Sequence, residues 1–174
     1  MWVSIAIGTA IAIALIVVVS ILTGGAVRND HGLTTELVGT KVKSFTLGGL
    51  SGGTEHAPWA HGHPGVLIFF ASDCGPCQGE MPKVARFMRE HNESPIVVMG
   101  VDADDVRAAA QRMIKKDKVT FPIAYDPNGV VTTGIFKFED IPETVFLTKR
   151  GVVTEVYFGA IPVDQLKSGL ASLR

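Results

Sequence analysis

An α/β sandwich built on a mixed sheet, preceded by one apolar helix, is the fold that this 174-residue chain predicts. Three observations carry it. Val66–Phe70 and Ile96–Met99 are continuous apolar runs introduced by turn residues, as strands buried on both faces should be. Between them, Met81, Val84, Ala85 and Met88 recur at helical spacing. Thr144–Thr148 and Val152–Phe158 flank Lys149-Arg150-Gly151 as the arms of a β-hairpin.

Residues 1–27 hold no charged side chain, so all 16 basic and 17 acidic residues follow them. Trp2 to Leu22 is long enough, at about 1.5 Å per residue, to cross a hydrocarbon core of roughly 30 Å. Residues 1–25 therefore read as a transmembrane anchor, with residues 2–22 in the lipid bilayer. A secretory signal peptide is the competing reading, because Gly24 and Ala26 form a small-x-small site. The length of the apolar run and the lack of any Lys or Arg before it favour an uncleaved anchor. Arg28, Lys41 and Lys43 follow the span, and taken alone they place the domain in the cytoplasm. That rule weakens when a whole folded domain follows the span.

Residues 26–40 read as a polar, glycine-containing tether, and residues 41–174 as a single domain of ordinary size. Phe45-Thr46-Leu47 suggests a short strand before a glycine-rich loop, Gly48 to Gly65. Val66–Phe70 is the central strand, and the helix after it carries Pro76 in its first turn, where a missing N–H costs nothing. Pro82, beyond the first turn, is expected to kink that helix. Asp104 and Asp105 are expected to open a second helix that closes on Lys115, Lys116 and Lys118, in the order that suits the helix dipole. Asp126-Pro127-Asn128-Gly129 is a turn. Pro162 to Leu173, with Leu166, Leu170 and Leu173 on one face, makes a terminal helix.

A net charge of −1 gives no electrostatic footprint for nucleic acid. Two cysteines are too few for a disulfide-stapled miniprotein, and both sit in Cys74-Gly75-Pro76-Cys77, directly after a buried strand and at the head of an amphipathic helix. There the free N–H groups and the helix dipole stabilise a thiolate on Cys74, and Cys77 lies one turn deeper. The chemistry this points to is thiol–disulfide exchange, in which Cys74 attacks and Cys77 resolves, with no metal or organic cofactor. Structural zinc needs two further ligands, for which only His56, His61 and His63 of the preceding loop are near in sequence. Haem attachment requires His where Gln78 stands. An inert structural disulfide closes too short a loop to stabilise much.

The stretch Phe69-Phe70-Ala71-Ser72-Asp73-Cys74-Gly75-Pro76-Cys77-Gln78-Gly79-Glu80-Met81-Pro82 resembles the active-site segment of the membrane-anchored TlpA/ResA/DsbE (CcmG) thioredoxin-like family. Leu37-Val38-Gly39 through Phe45-Thr46-Leu47 is similar to the family's leading segment, and Phe121 to Pro127 to its inserted region. Ile141-Pro142-Glu143-Thr144 resembles its proline loop, in a form echoing the cytochrome-maturation branch. The resemblance implies a thioredoxin-like fold, a mixed central sheet flanked by helices, and a domain outside the cytoplasm on a single-pass anchor in the cell membrane. It implies that Pro142 is a cis-proline which, with Ile141, faces the cysteine pair and presents backbone to a bound peptide. Glu80 matches an acid that tunes the cysteines or relays protons, against the alternative of an ordinary surface glutamate. Glu143 matches a second acid beside the proline. The implied activity is reduction of protein disulfides, with apocytochrome c as candidate substrate and a membrane thiol-transfer protein as electron donor.

The chain departs from that family at three places. Asp73 stands where relatives carry Trp, Gln78 where they tend to carry a cation, and the Gly48–Gly65 loop is rich in glycine and histidine. Two other functions compete. A thioredoxin-like peroxidase needs Thr or Ser three residues before its reactive cysteine, and Ala71 stands there. A copper- or other metal-handling module would use Cys74, Cys77 and the loop histidines.

Overall fold

The computed structural model describes residues 34–91 and 95–174, so the anchor proposed for residues 2–22 and most of the tether lie outside the described residues. Among the described residues, no helix is long and apolar enough to cross a membrane. The elements run α1 (Thr34–Leu37), β1 (Thr46–Gly49), β2 (Thr54–His56), a 3-10 turn (Pro58–His61), β3 (Gly65–Phe70) and α2 (Gly75–Glu90). After these come β4 (Val97–Ala103), α3 (Arg107–Lys116), β5 (Ile123–Asp126), β6 (Glu143–Leu147), β7 (Val153–Phe158) and α4 (Val163–Ser172). Seven strands form one mixed sheet in the order β2-β1-β5-β4-β3-β6-β7. β3 pairs parallel with β4 and antiparallel with β6, and β4 pairs parallel with β5.

The apolar run in β3 is buried at all six positions because both faces of the sheet are covered. Strand alternation sorts its side chains. Val66 and Ile68 pack with Val84 and Phe87 of α2 and Leu166 and Leu170 of α4. Phe70, on the same face, packs with Cys77 and Met81 of α2 and Ala110 and Met113 of α3. Leu67 and Phe69 face the other way, onto Trp59 of the 3-10 turn and onto Val131, Phe136 and Phe138. Phe69, Phe70, Phe136 and Phe146 are fully buried, each worth about 1.5–3 kcal/mol relative to exposure.

Several expectations need correction. The Gly48–Gly65 stretch is not a loop: β1 and β2 pair there as a hairpin, with Thr46 opposite His56. α1 gives the end of the tether one helical turn, and the Gly39 N–H donates to the Val153 carbonyl, so residues 34–40 include ordered structure packed on β7. β4 continues beyond Met99 to Ala103 through Gly100 and Asp102, which interrupt the apolar pattern. A Cβ on Gly100 would meet Ile123 Cδ1 at 2.4 Å, which accounts for a glycine inside a strand. α3 starts at Arg107, three residues later than expected. Asp104 has φ 47°, outside helical geometry, and the Asp105 carboxylate is taken up by other donors. α2 is the expected helix, Gly75–Glu90, with Pro82 inside it. The Asp126 turn forms, and its buried carboxylate accepts from Val131 N, Thr132 N and Thr132 Oγ1 at 2.8–3.0 Å. In the β6–β7 hairpin, Gly151 holds φ 74° and lies against Trp59, two demands that leave room only for glycine.

Candidate active site

Where β3 ends, the buried Ala71 and the turn at Ser72-Asp73 bring the chain to Cys74, which is the N-cap of α2 with extended backbone (φ −76°, ψ 110°). Its sulfur accepts the Cys77 N–H at 3.2 Å, one of the amides that a helix leaves unpaired at its start. Pro76 sits in that same first turn, exposed, removing a donor that had no partner. Cys74 and Cys77 are joined in a disulfide with an S–S distance of 2.00 Å. Cys74 is half-buried whereas Cys77 is 1% exposed, so a macromolecule can reach one sulfur only. A thiolate on Cys74 is stabilised by the amide it already accepts and by the dipole of a 16-residue helix.

The second wall comes from the loop before β6. The Ile141–Pro142 peptide bond is cis, and Cys74 Sγ lies 3.7 Å from the Ile141 carbonyl oxygen. Pro142 is buried, and its own carbonyl accepts from Gly159 N at 2.9 Å. The half-buried Ile141 is the apolar side chain of this wall, packed against both Phe70's cluster and the opposite face.

Besides Asp126 in its turn, three buried acids lie at this end of the sheet. Glu80, one turn after Cys77 on α2, is 3% exposed and neither oxygen makes a well-formed hydrogen bond among the described residues. It is thus not a surface glutamate. Burial pushes its pKa up to about 7, partly offset by the Ile161 amide and the charge of Lys83. Glu143 is also buried, and desolvation with the nearby Asp140 raises it to about 8. Glu143 is the cross-strand partner of Phe69, so it leaves the sheet on the face opposite Cys77. The third acid, Asp102, was not singled out from the sequence, although a carboxylate inside the run Val97–Ala103 is the signal for it. It is fully buried, and both of its oxygens lack a donor among the described residues.

Asp73 is exposed beside Cys74. Gln78 folds back so that its amide donates to the Ser72 carbonyl at 2.7 Å. An open cleft of about 270 Å³ adjoins this turn, lined by Ser72, Gln78, Ala109, Arg112, Met113 and Lys116. The loop histidines are placed elsewhere. His56 lies on the edge strand β2, with β1, β5 and β4 between it and β3. His61 and His63 precede the start of β3, whereas Cys74 follows its end, a strand length of roughly 20 Å away. The structure therefore does not bring them to the cysteine pair. What the site contains is one accessible sulfur, one buried partner and a backbone wall beside them, the parts that thiol–disulfide exchange requires.

The pattern of the AhpC/TSA family matches residues 38–156. The thiol-disulfide oxidoreductase ResA of Oceanobacillus iheyensis is 31% identical over 105 residues, which cover 60% of this chain and 54% of that protein. The chain thus spans about half the length of that relative. The ResA of Bacillus cereus is 25% identical over 136 residues, 78% of each protein. Among solved structures, that of MTB DsbF in its mixed oxidised and reduced forms superposes with a TM-score of 0.66 at 29% identity, covering 75% of this chain and 95% of that one.

Proposed function

The chain belongs to the AhpC/TSA family, and on that premise we propose that it works as a thiol–disulfide oxidoreductase that reduces protein disulfides outside the cytoplasm, held in the cell membrane by residues 2–22. The observation that carries the activity is the disulfide at the head of α2, with Cys74 reachable and Cys77 enclosed. In the reduced protein the Cys74 thiolate attacks one sulfur of a substrate disulfide, forming a mixed disulfide and releasing one substrate thiolate. Cys77 gives up its proton and attacks Cys74 Sγ, which frees the second substrate thiol and closes the Cys74–Cys77 bond. Two electrons pass to the substrate, and the disulfide itself stores the change, so no metal or organic cofactor takes part. Glu80, buried one turn from Cys77, is the acid placed to take that proton. A dithiol donor must then reduce the pair again, and a membrane thiol-transfer protein fits that role.

The Pro142-Glu143-Thr144 form of the proline loop supports apocytochrome c as the substrate, whose two cysteines must be reduced before haem is attached. The cleft beside Ser72, with Arg112 and Lys116 on its rim, suits a peptide that carries acidic side chains next to its cysteines. The test is a Cys77→Ser variant expressed in its own cells, which should accumulate a mixed disulfide with its partner, while a Cys74→Ser variant accumulates none. Recovery of apocytochrome c supports the whole reading. Recovery of other exported proteins keeps the activity and removes the substrate, and an absence of any trapped partner removes the activity. A reporter fused after Arg174 that works only in the cytoplasm removes the location and the substrate together.

A further inference from the structure

Asp102 sits near the end of β4, in register with Phe70 of β3 on one side and Tyr125 of β5 on the other. All three side chains therefore leave the sheet on one face, the face on which Phe70 packs against Cys77 and Met81. A carboxyl group that is 0% exposed with no donor for either oxygen among the described residues is costly as an anion. The group that acts on it through charge and side chain is a second carboxylate, that of Asp105, which does have donors. Asp105 accepts from Ser72 N, from Ser72 Oγ at 2.9 Å and from Val106 N at 2.6 Å. Asp105 thus has three donors where Asp102 has none, so a hydrogen bond between the two acids is one that Asp102 donates.

Resting on the dithiol reading above, we propose that Asp102 is a positioning residue for Cys74: as a neutral acid it donates a hydrogen bond to Asp105 and so fixes the clamp that holds Ser72, two residues before the attacking sulfur. The surroundings agree. Phe70 offers no charge from β3, and α2 contributes Met81 and the Cys77 sulfur. From β5, the Tyr125 hydroxyl donates to the Asp105 carbonyl at 2.9 Å, so its proton is spent there and not on Asp102. The cation acting on it among the described residues is Arg107 at the start of α3, already engaged with the Gly49 and Leu50 carbonyls at 3.0 and 2.8 Å and stacked on Tyr125. Burial and the Asp105 charge move Asp102 from 3.8 to about 8, with Arg107 opposing. Ionisation sets two carboxylates against each other and loosens the grip on Ser72, so the clamp weakens as pH rises through that value.

The experiment follows the carboxyl carbon of Asp102 by NMR in the full-length oxidised protein as pH is varied. The expected midpoint lies near pH 8, and a midpoint near 4 overturns the proposal whatever the protein reduces. In parallel, the exchange rate of the reduced protein with a small disulfide is measured and divided by its Cys74 thiolate fraction. The wild type should lose rate severalfold across pH 8. Asp102→Asn, an uncharged donor at every pH, should keep the low-pH rate throughout, and Asp102→Ala should show the high-pH rate throughout. An Asp102→Asn protein that retains the wild-type break also overturns the proposal. If Asp102→Ala does not fold, the carbon titration and the Asn variant decide alone. A protein with no exchange activity, but with Asp102 titrating near 8, leaves the buried acid pair standing and removes the dithiol reading instead.

Discussion

Cys74 Sγ and the Ile141 carbonyl oxygen, 67 residues apart in the chain, lie 3.7 Å from each other. The sulfur that must be attacked or attack is thus walled on one side by backbone polar groups. Cys77 behind it is 1% exposed and so closed from that side.

Alkylation of the reduced protein at neutral pH should therefore label Cys74 well before Cys77. The order follows from a half-buried sulfur at a helix start against one that is 1% exposed. Mass spectrometry of partly labelled protein reads it directly. Equal labelling of the two cysteines contradicts the assignment of attacking and resolving thiols.

Asp73 is exposed next to Cys74, where its charge opposes the helix dipole and disfavours the thiolate. Asp73→Asn is expected to lower the Cys74 pKa by up to about one unit, a ceiling set by solvent and salt screening. Because a favoured thiolate favours the reduced form, the reduction potential should rise by up to about 30 mV. Thiolate absorbance against pH and equilibration with a glutathione buffer supply the two numbers. An unchanged thiol pKa means the carboxylate points away from the sulfur and serves docking instead.

Glu80 makes the oxidised protein's stability fall with rising pH. Its pKa is about 7 in the folded state against 4.5 otherwise, so between those values the folded protein keeps a proton that the unfolded chain has lost. The stabilising effect of acid is complete below 4.5, and the loss, on the order of 3 kcal/mol at most, is in place above pH 7. Glu80→Gln should flatten this part of the curve of Tm against pH. A Gln variant with the full wild-type slope assigns the effect to the other buried acids.

Gly169 on α4 lies so close to Phe146 that an added Cβ would meet its ring at 2.3 Å. Phe146 is fully buried in β6 and cannot swing aside. Gly169→Ala should cost about 1–3 kcal/mol in chemical denaturation, despite alanine's better helix propensity. A stabilised variant would show that α4 shifts freely on the sheet.

The elements legible in the sequence were those in which one signal dominated. β3 announced itself by five consecutive apolar residues, α2 by its periodicity, and the β6–β7 hairpin by its turn. β2 was hidden because Thr54, Glu55 and His56 form an outer strand with little to bury and glycines beside it. The start of α3 was misplaced because Asp105, a typical capping residue, spends its carboxylate on Ser72 in another segment. Cys74 and Cys77 were readable from spacing and context. Burial of Glu80 was not, since a periodic helix has several faces and only the packing of α2 against the segment at Ile161 decides which are closed. Asp102 has a signal, its place inside the otherwise apolar run of β4, but the sequence does not say that Tyr125 is its neighbour across the sheet.

The sheet has two outer edges, and among the described residues one is short and charged and the other is covered at its start. At one end β2 is three residues long and carries Glu55. At the other, the start of β7 is capped by the segment around Thr40 and Lys41, through Gly39 N to Val153 O, Val153 N to Thr40 O and the Lys41–Val152 bridge. Short, charged or covered edges are the devices by which sheets avoid stacking strand to strand. Many copies crowded at high local density should therefore resist aggregation through their sheets, so that a collision between two of them brings sulfur chemistry within reach without fusing backbones.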